Sequence, residues 1–398
     1  MIPRQVIFAF ILIVSSVFVT LALFEGTLRL FPVLLPIEIR QLVQARQSGS
    51  GVAHPYIGHL HKPNHSFVIS GRDFSATHHT DGHGFRNAWP WPDKVEIVAL
   101  GDSVTFGQTV EDYQAWPAVL DRFLPQSRII NLGLIGAGLQ QYLRVYETFG
   151  AKLHPKVLLV GLFIRNDFWD DGLFERWLKS GWNNNYMVWR DFGRPKKVHF
   201  DPSRPISTAI EMLGQRTGRL IHGSHLHKLL RYVRDAVRRG LLSEVKIFQS
   251  ADGSRLELLP KDFADKTAHA QPDRREFHLA LNALRRIHSM AAENGTRTLV
   301  LLQPSKEEVY LPLLGEAVPD PAEPLRGELD NSGIDYLDLT PSFRERARAG
   351  EKLFHETDGH PNARGYALMA EIVLSHLKAN AGRYGLKDWE RNASNTGA

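Results

Sequence analysis

A hydroxyl, a flexible backbone position and a carboxamide occupy comparable places in the first half of the sequence. Ser103, Gly136 and Asn166 each follow shortly after a run of apolar residues. A serine hydroxyl can attack a carbonyl carbon, and backbone N–H groups and side-chain amides can donate hydrogen bonds to the oxyanion that forms. The three positions together indicate acyl transfer through a covalent serine intermediate.

A base for such a nucleophile occurs near the end of the chain. His360 lies in the segment Asp-Gly-His-Pro-Asn at 358–362. An imidazole can take the proton of a serine hydroxyl, and a carboxylate beside it selects the tautomer and stabilises the imidazolium. Asp358 is the expected carboxylate, and Glu356, or no carboxylate at all, remains the alternative.

The apolar runs predict the strands of a parallel sheet. They lie at residues 95–100, 128–132, 157–163, 297–302 and 334–337. Uninterrupted runs of leucine and β-branched residues suit strands that are buried on both faces. Helical patterns alternate with these runs, which predicts a doubly wound α/β fold. Ligands of such sheets bind beyond the carboxyl ends of the strands, where Ser103, Gly136 and Asn166 are expected.

Four blocks of sequence resemble the SGNH/GDSL hydrolase superfamily, in particular its membrane-anchored bacterial members. They are Gly-Asp-Ser at 101–103, the glycines through Gly136, Asn-Asp at 166–167 and the segment 358–362. The resemblance implies a three-layer α/β/α fold with Ser103 as nucleophile, His360 as base and Asp358 as its orienting carboxylate. It also implies an oxyanion hole made of the Ser103 N–H, the Gly136 N–H and the Asn166 amide. No metal or cofactor is implied.

Composition excludes several other classes of protein. The chain of 398 residues has ordinary globular values of 43% hydrophobic and 23% charged residues. It contains no cysteine, so disulfides, thiolate nucleophiles and cysteine metal sites are excluded. A net charge of +5 permits binding to an anionic membrane or polysaccharide. No nucleic-acid-binding motif is present, and no nucleic acid is expected as a partner.

The N-terminal segment predicts a membrane anchor. Residues 6–24 are uncharged and mainly apolar, with only Ser15, Ser16 and Thr20 as polar members. A run of this length can cross the hydrocarbon core as a helix. A cleaved signal peptide is the alternative, but a small-x-small cleavage site is not evident after the run. Basic residues on both sides specify the orientation weakly, and we expect the catalytic part outside the cytoplasm, in the periplasm.

The predicted organisation has four parts. Residues 1–30 form the anchor, 31–90 a linker and irregular lead-in with a polar helical stalk at 38–51, 91–385 the hydrolase domain and 386–398 a tail. An insertion at 169–272 interrupts the hydrolase domain and is too long for a simple crossover. Its segment 225–239 has an apolar face and several arginines. This segment predicts either a helix on a membrane or anionic polymer, or a helix packed on the main domain.

Two further groups of residues have competing interpretations. The histidines of the lead-in at 54, 59, 61, 65, 78, 79 and 83 suggest a metal site, but proline and glycine interrupt the helical spacing that would bring pairs together. Lys306 follows the strand at 297–302, where it can bind substrate. The neighbouring Glu307 and Glu308 favour instead the start of an exposed helix.

The residues support three functional hypotheses. The first is an esterase that hydrolyses acyl esters, possibly acetyl esters of a cell-surface glycan. The second is an O-acetyltransferase that moves an acyl group onto an exopolysaccharide. The third is a non-catalytic binding module of the cell envelope that retains the fold. The glycan rests on analogy with the superfamily.

Overall fold

The computed structural model describes residues 4–35, 51–123, 129–181, 185–192, 224–227, 229–230, 233–234, 237 and 245–386. All of the predicted stalk at 38–51 except Gly51, the tail beyond residue 386 and much of the insertion lie outside these residues. The chain divides into two compact units. One comprises residues 1–47 and 195–242, and the other comprises 48–194 and 243–398.

The first unit contains the apolar N-terminal helix α1, Arg4–Leu30. Among the described residues it is the one helix long and apolar enough to cross a membrane. Glu25 near its end accepts hydrogen bonds from the Ser224 hydroxyl (2.7 Å) and from the backbone N–H groups of His225 (3.0 Å) and Leu226 (2.9 Å). Described residues of the predicted amphipathic segment are helical. Leu226 and Leu229 pack with Leu28 and Leu35 of the same unit.

The second unit contains eleven described strands and eleven described α-helices. The strands are β1 Gly51–His54, β2 Gly58–His61, β3 Ser66–Ser70, β4 Ser75–His79, β5 Ile97–Gly101, β6 Ile129–Gly133, β7 Val157–Leu162, β8 Lys246–Gln249, β9 Arg255–Leu258, β10 Arg297–Leu302 and β11 Asp335–Asp338. The helices are α2 Ser103–Phe106, α3 Trp116–Arg122, α4 Leu139–Val145, α5 Asp167–Lys179, α6 Tyr186–Phe192, α7 Pro260–Thr267, α8 Arg275–Glu293, α9 Lys306–Tyr310, α10 Glu323–Asn331, α11 Thr340–Arg348 and α12 Ala363–Ala379.

Five strands form one parallel sheet in the order β11-β10-β7-β5-β6. Its central strands are buried on both faces, as the apolar runs predict. In β7, Val157 and Leu159 contribute to one core, and Leu158, Val160 and Leu162 contribute to the other. Helices α4, α5, α8 and α10 cover one face, and α3, α9, α11 and α12 cover the other. The predicted doubly wound three-layer α/β fold is confirmed.

The lead-in folds into two antiparallel hairpins, β1–β2 and β3–β4, as expected for short strands and loops. They carry three buried histidines, His59, His61 and His78. The His61 ring lies 4.6 Å from the ring of Phe106 in α2. Burial lowers the pKa of His59 to about 4 and the pKa values of His61 and His78 to about 3. These imidazoles are therefore neutral at neutral pH.

The buried histidines predict acid lability. Their pKa values are lower in the folded protein than the ordinary 6.5, so below pH 6.5 the unfolded chain binds more protons than the folded one. Stability is then lost as the pH falls from 6.5 toward 4, by about 1.4 kcal/mol per pH unit for each histidine. We expect His61→Leu to reduce the loss of unfolding free energy between about pH 7 and about pH 5. The measurement is urea unfolding of the full chain in detergent at the two pH values. An unchanged slope would contradict the assignment.

Candidate active site

Ser103 lies at the carboxyl edge of the parallel sheet, directly after β5. Asp102 caps the short helix α2, because its carboxylate accepts a hydrogen bond from the Val104 N–H at 2.8 Å. Ser103 opens that helix and is 8% exposed. The cap holds the Ser103 backbone at the point where strand becomes helix, so the hydroxyl is presented from a rigid corner.

The hydroxyl of Ser103 contacts the imidazole of His360. The distance from Ser103 Oγ to His360 Nε2 is 2.8 Å, although 257 residues separate the two along the chain. His360 Nδ1 lies 2.6 Å from Asp358 Oδ1, and the His360 backbone N–H donates to the same oxygen at 2.8 Å. The alternative carboxylate, Glu356, accepts from Lys352 Nζ instead. The structure thus joins Ser103, His360 and Asp358 in one chain of hydrogen bonds.

The electrostatics of this pair suit a general base. Burial by itself disfavours the His360 imidazolium, but the adjacent Asp358 carboxylate outweighs it, and the pKa of His360 is raised above its ordinary value. Burial likewise disfavours the charge on Asp358, yet its contacts with His360 lower its pKa well below the ordinary value. Asp358 therefore stays ionised and holds a proton on Nδ1, which leaves Nε2 to accept the proton of Ser103.

Lys306 secures the loop that carries Asp358 and His360. Its side chain is buried, with the residue only 2% exposed, and Nζ donates to the carbonyl oxygens of His355 (3.2 Å), Glu356 (3.1 Å) and Asp358 (2.9 Å). The prediction that Lys306 starts an exposed helix is wrong. The residue does open α9, but tertiary contacts with the loop bury it.

Asn166 lies beside the nucleophile through shared carboxylates. Its Nδ2 donates to Asp170 Oδ2 at 2.9 Å and to Asp102 Oδ2 at 3.4 Å. The same Asp102 oxygen lies 3.2 Å from Ser103 Oγ. Burial raises the pKa values of both aspartates, to about 6 for Asp170. The longer hydrogen bond to Asp102 is the weaker of the two. The Asn166 N–H that makes it can therefore turn toward a bound oxyanion at a smaller cost in free energy than the N–H that donates to Asp170.

Gly136 lies in the loop after β6 with a left-handed backbone, φ +71°. This backbone conformation favours glycine, and a Cβ here would also meet Arg190 Nη1 at 2.2 Å and displace the end of that side chain. Arg190 Nη1 donates to the Gly136 carbonyl at 3.0 Å, and its Nη2 pairs with Asp170 at 3.0 Å. Gly136 and Asn166 are thus linked by one guanidinium and one carboxylate.

The observed roles of several residues in this arrangement could not be predicted from the sequence. Asp170 follows Asn166 by one helical turn, so the sequence could have identified it as a neighbour of Asn166. The other three residues, Lys306, Arg190 and His59, reach the site through contacts with residues that are distant from them in the sequence. Within the described residues, no group of three or more histidine or carboxylate side chains is arranged to hold a metal ion.

Comparison with known families gives one match, to the model described as SGNH hydrolase-like domain, acetyltransferase AlgX, over residues 263–396. The matched segment contains His360 and Asp358. A comparison with curated protein sequences found no match.

The solved structures that match this chain include three bacterial proteins. A member of the lipolytic protein G-D-S-L family from Veillonella parvula is 14% identical, with 71% of this chain and 97% of that chain covered and a TM-score of 0.35. A GDSL-like lipase from Bacteroides thetaiotaomicron is 10% identical, with 74% and 92% covered and a TM-score of 0.34. A catalytic mutant of an acetylxylan esterase from Geobacillus stearothermophilus is 10% identical, with 71% and 93% covered and a TM-score of 0.35.

The sequence blocks, the parallel sheet and the matched family model agree. Each block occupies the carboxyl edge of the sheet or the loop before α12, as the resemblance implies. The chain has an SGNH-like α/β fold, and its residues 263–396 match the model of an SGNH hydrolase-like domain.

Proposed function

We propose that this protein is a serine-dependent acyl-ester hydrolase. The observation that carries the proposal is the chain of short contacts from Ser103 Oγ through His360 to Asp358, 2.8 Å and 2.6 Å long. A hydroxyl, an imidazole and an ionised carboxylate in this order form the arrangement that activates serine for attack on an ester. Packing alone does not require this order of groups.

The proposed reaction has two half-reactions. His360 Nε2 takes the proton of Ser103 as its oxygen bonds to the ester carbonyl carbon, and the oxyanion binds the Ser103 N–H, the Gly136 N–H and the Asn166 amide. His360 then gives the proton to the departing alcohol, and the acyl group remains on Ser103. Water then attacks this ester while His360 Nε2 takes one of its protons, and His360 returns that proton to Ser103 Oγ as the bond to the acyl carbon breaks and the acid leaves. The proton that Ser103 loses with the alcohol is thus replaced by one from water.

Transfer to an alcohol is the second candidate reaction. If an acceptor hydroxyl replaces water in the second half-reaction, the same residues act as an O-acetyltransferase. The description of the matched family model as an acetyltransferase favours this candidate. The two reactions differ only in which hydroxyl reaches the acyl-serine.

We also propose that the substrate is an acyl ester of a cell-surface glycan and that the site faces the periplasm. The support is the apolar helix α1, which is long enough to tether the chain to a membrane, and the resemblance to membrane-anchored bacterial members of the superfamily. We expect the full chain to be retained in the membrane fraction. We also expect a protease to reach the second unit only after the outer membrane is opened. Protection of that unit in sealed spheroplasts would contradict it.

The proposal is tested with the full-length protein in detergent. We expect turnover of a p-nitrophenyl acyl series and covalent labelling by a fluorophosphonate. Inactivity across the series together with an unlabelled serine would favour a non-catalytic binding module. Acetyl release measured with and without an added oligosaccharide then separates hydrolysis from transfer, because a transferase yields acetylated oligosaccharide instead of free acetate.

Asn166→Ala is expected to slow acylation about a hundred- to a thousandfold, because it removes one donor to the oxyanion. Fluorophosphonate labelling should persist at a reduced rate, because Ser103 and His360 keep their contact. The measurement is the single-turnover rate of p-nitrophenol release, with the thermal midpoint checked to exclude unfolding. Unchanged kinetics would remove Asn166 from the oxyanion hole.

A further inference from the structure

The peptide that contains the Gly136 N–H is held by a residue outside the four sequence blocks. His59 Nε2, in the hairpin strand β2, lies 2.9 Å from the carbonyl oxygen of Ile135. On the other side of Gly136, Arg190 Nη1 donates to the Gly136 carbonyl at 3.0 Å. Two successive carbonyls of the loop after β6 are therefore fixed by side chains from the lead-in and from the insertion.

The Ile135 carbonyl and the Gly136 N–H belong to the same peptide plane. In a trans peptide these two groups point in opposite directions across the C–N bond, so fixing one fixes the other. An oxyanion hole is effective when its donors are oriented before the charge develops. We propose that His59 and Arg190 are positioning residues. They orient the Gly136 N–H toward the oxyanion by holding the carbonyl groups of Ile135 and Gly136, which lie on either side of it along the chain. The inference rests on the proposed function.

The surroundings of His59 set the tautomer that this role requires. A carbonyl oxygen can only accept, so Nε2, the nitrogen that faces Ile135, carries the proton. Gln141 Nε2 donates to the Ile57 carbonyl at 2.8 Å and lies 3.4 Å from His59 Nδ1, which fits an unprotonated Nδ1. His59 is only 2% exposed, so bulk water does not compete for the Ile135 carbonyl.

Arg190 connects this peptide to the other proposed donor. Its Nη2 pairs with Asp170 Oδ1 at 3.0 Å, and Asp170 Oδ2 accepts from Asn166 Nδ2 at 2.9 Å. Arg190 lies in α6, part of the insertion that interrupts the sheet. The insertion therefore contributes to the geometry of the site, and a single guanidinium sets the spacing between Gly136 and Asn166.

The test is a comparison of His59→Leu, which removes the donor, with His59→Gln, which keeps an N–H of similar reach. We expect His59→Leu to lower kcat for p-nitrophenyl acetate about ten- to a hundredfold with KM changed less than about threefold, because the transition state loses an aligned donor. His59→Gln should recover most of kcat. The fluorophosphonate labelling rate should follow the same order, because the phosphonyl oxygen occupies the oxyanion position.

The control is His61→Leu, a second buried histidine of β2 whose Nε2 makes no hydrogen bond within the described residues. It should leave kcat within about twofold, because the peptide at Gly136 keeps both of its contacts. If His59→Leu does not fold, Arg190→Met replaces it as the test, because the Arg190 side chain is partly exposed. We expect Arg190→Met to lower kcat about tenfold. A folded His59→Leu variant with wild-type kcat would overturn this inference but not the proposed function. A loss of kcat in His59→Gln equal to that in His59→Leu would do the same. A wild-type protein that neither turns over esters nor labels overturns the proposed function, and this inference with it.

Discussion

Replacing Ser103 with alanine is expected to lower kcat at least about ten-thousandfold while the protein remains folded. The substitution removes the oxygen that we propose bonds to the acyl carbon, and it leaves the cap of α2 intact because Asp102 accepts from the Val104 N–H. The measurement is turnover of p-nitrophenyl acetate beside the thermal midpoint of the same preparation. The residual rate should reflect only substrate binding and the oxyanion donors.

The variant has two controls. Ser70→Ala, in the surface hairpin of β3 and β4, should keep full activity, because its hydroxyl bonds only to Ser75 among the described residues. His360→Ala should lose about as much as Ser103→Ala, and the double variant should lose little more, because the two groups act as one unit. Additive losses would mean that the hydroxyl and the imidazole serve different steps, and turnover in Ser103→Ala would refute the nucleophile.

Asp358→Asn is expected to lower kcat about a thousand- to ten-thousandfold at neutral pH. The amide can no longer hold the proton on His360 Nδ1 as an ionised carboxylate does, so the tautomer with a free Nε2 is lost. The substitution also removes the largest influence that raises the pKa of His360, which should fall. Because the neutral imidazole is the base, kcat/KM rises with pH through this pKa, and the rising limb should move to lower pH in the variant.

Glu356→Gln is the matched control for Asp358→Asn. Its carboxylate lies in the same loop but pairs with Lys352 and not with His360. We expect activity within about threefold of wild type and an unmoved rising limb of kcat/KM, since the His360 partner is untouched. A large loss in Glu356→Gln with a small one in Asp358→Asn would transfer the orienting role to Glu356.

The sheet was predictable because its strands are buried on both faces. A strand in that setting must be apolar at every position, so residues 157–163 indicate β7 without further information, and the structure places it at Val157–Leu162. The proximity of Ser103 and His360 was predictable from the sequence blocks and from the rule that ligands meet strand ends. The choice of Asp358 over Glu356 as the partner of His360 needed the structure.

The supporting contacts were not predictable in the same way. Lys306 follows Ser305, which caps α9 together with Glu308 in a local arrangement typical of exposed helix starts. Its burial depends on a loop about fifty residues further along the chain, which no local pattern encodes. The loop after β6 is contacted by His59, which precedes it in the sequence, and by Arg190, which follows it. Such contacts depend on the assembled fold.

The separation of 257 residues between hydroxyl and imidazole has a consequence for biosynthesis. Closing so long a loop carries an entropy cost that only the completed sheet can offset. A growing polypeptide therefore carries an unactivated alcohol until residue 360 has been made. Under the proposed function, ester cleavage can begin only when the segment that carries His360 joins the sheet, so a chain that terminates before residue 360 is expected to be inert.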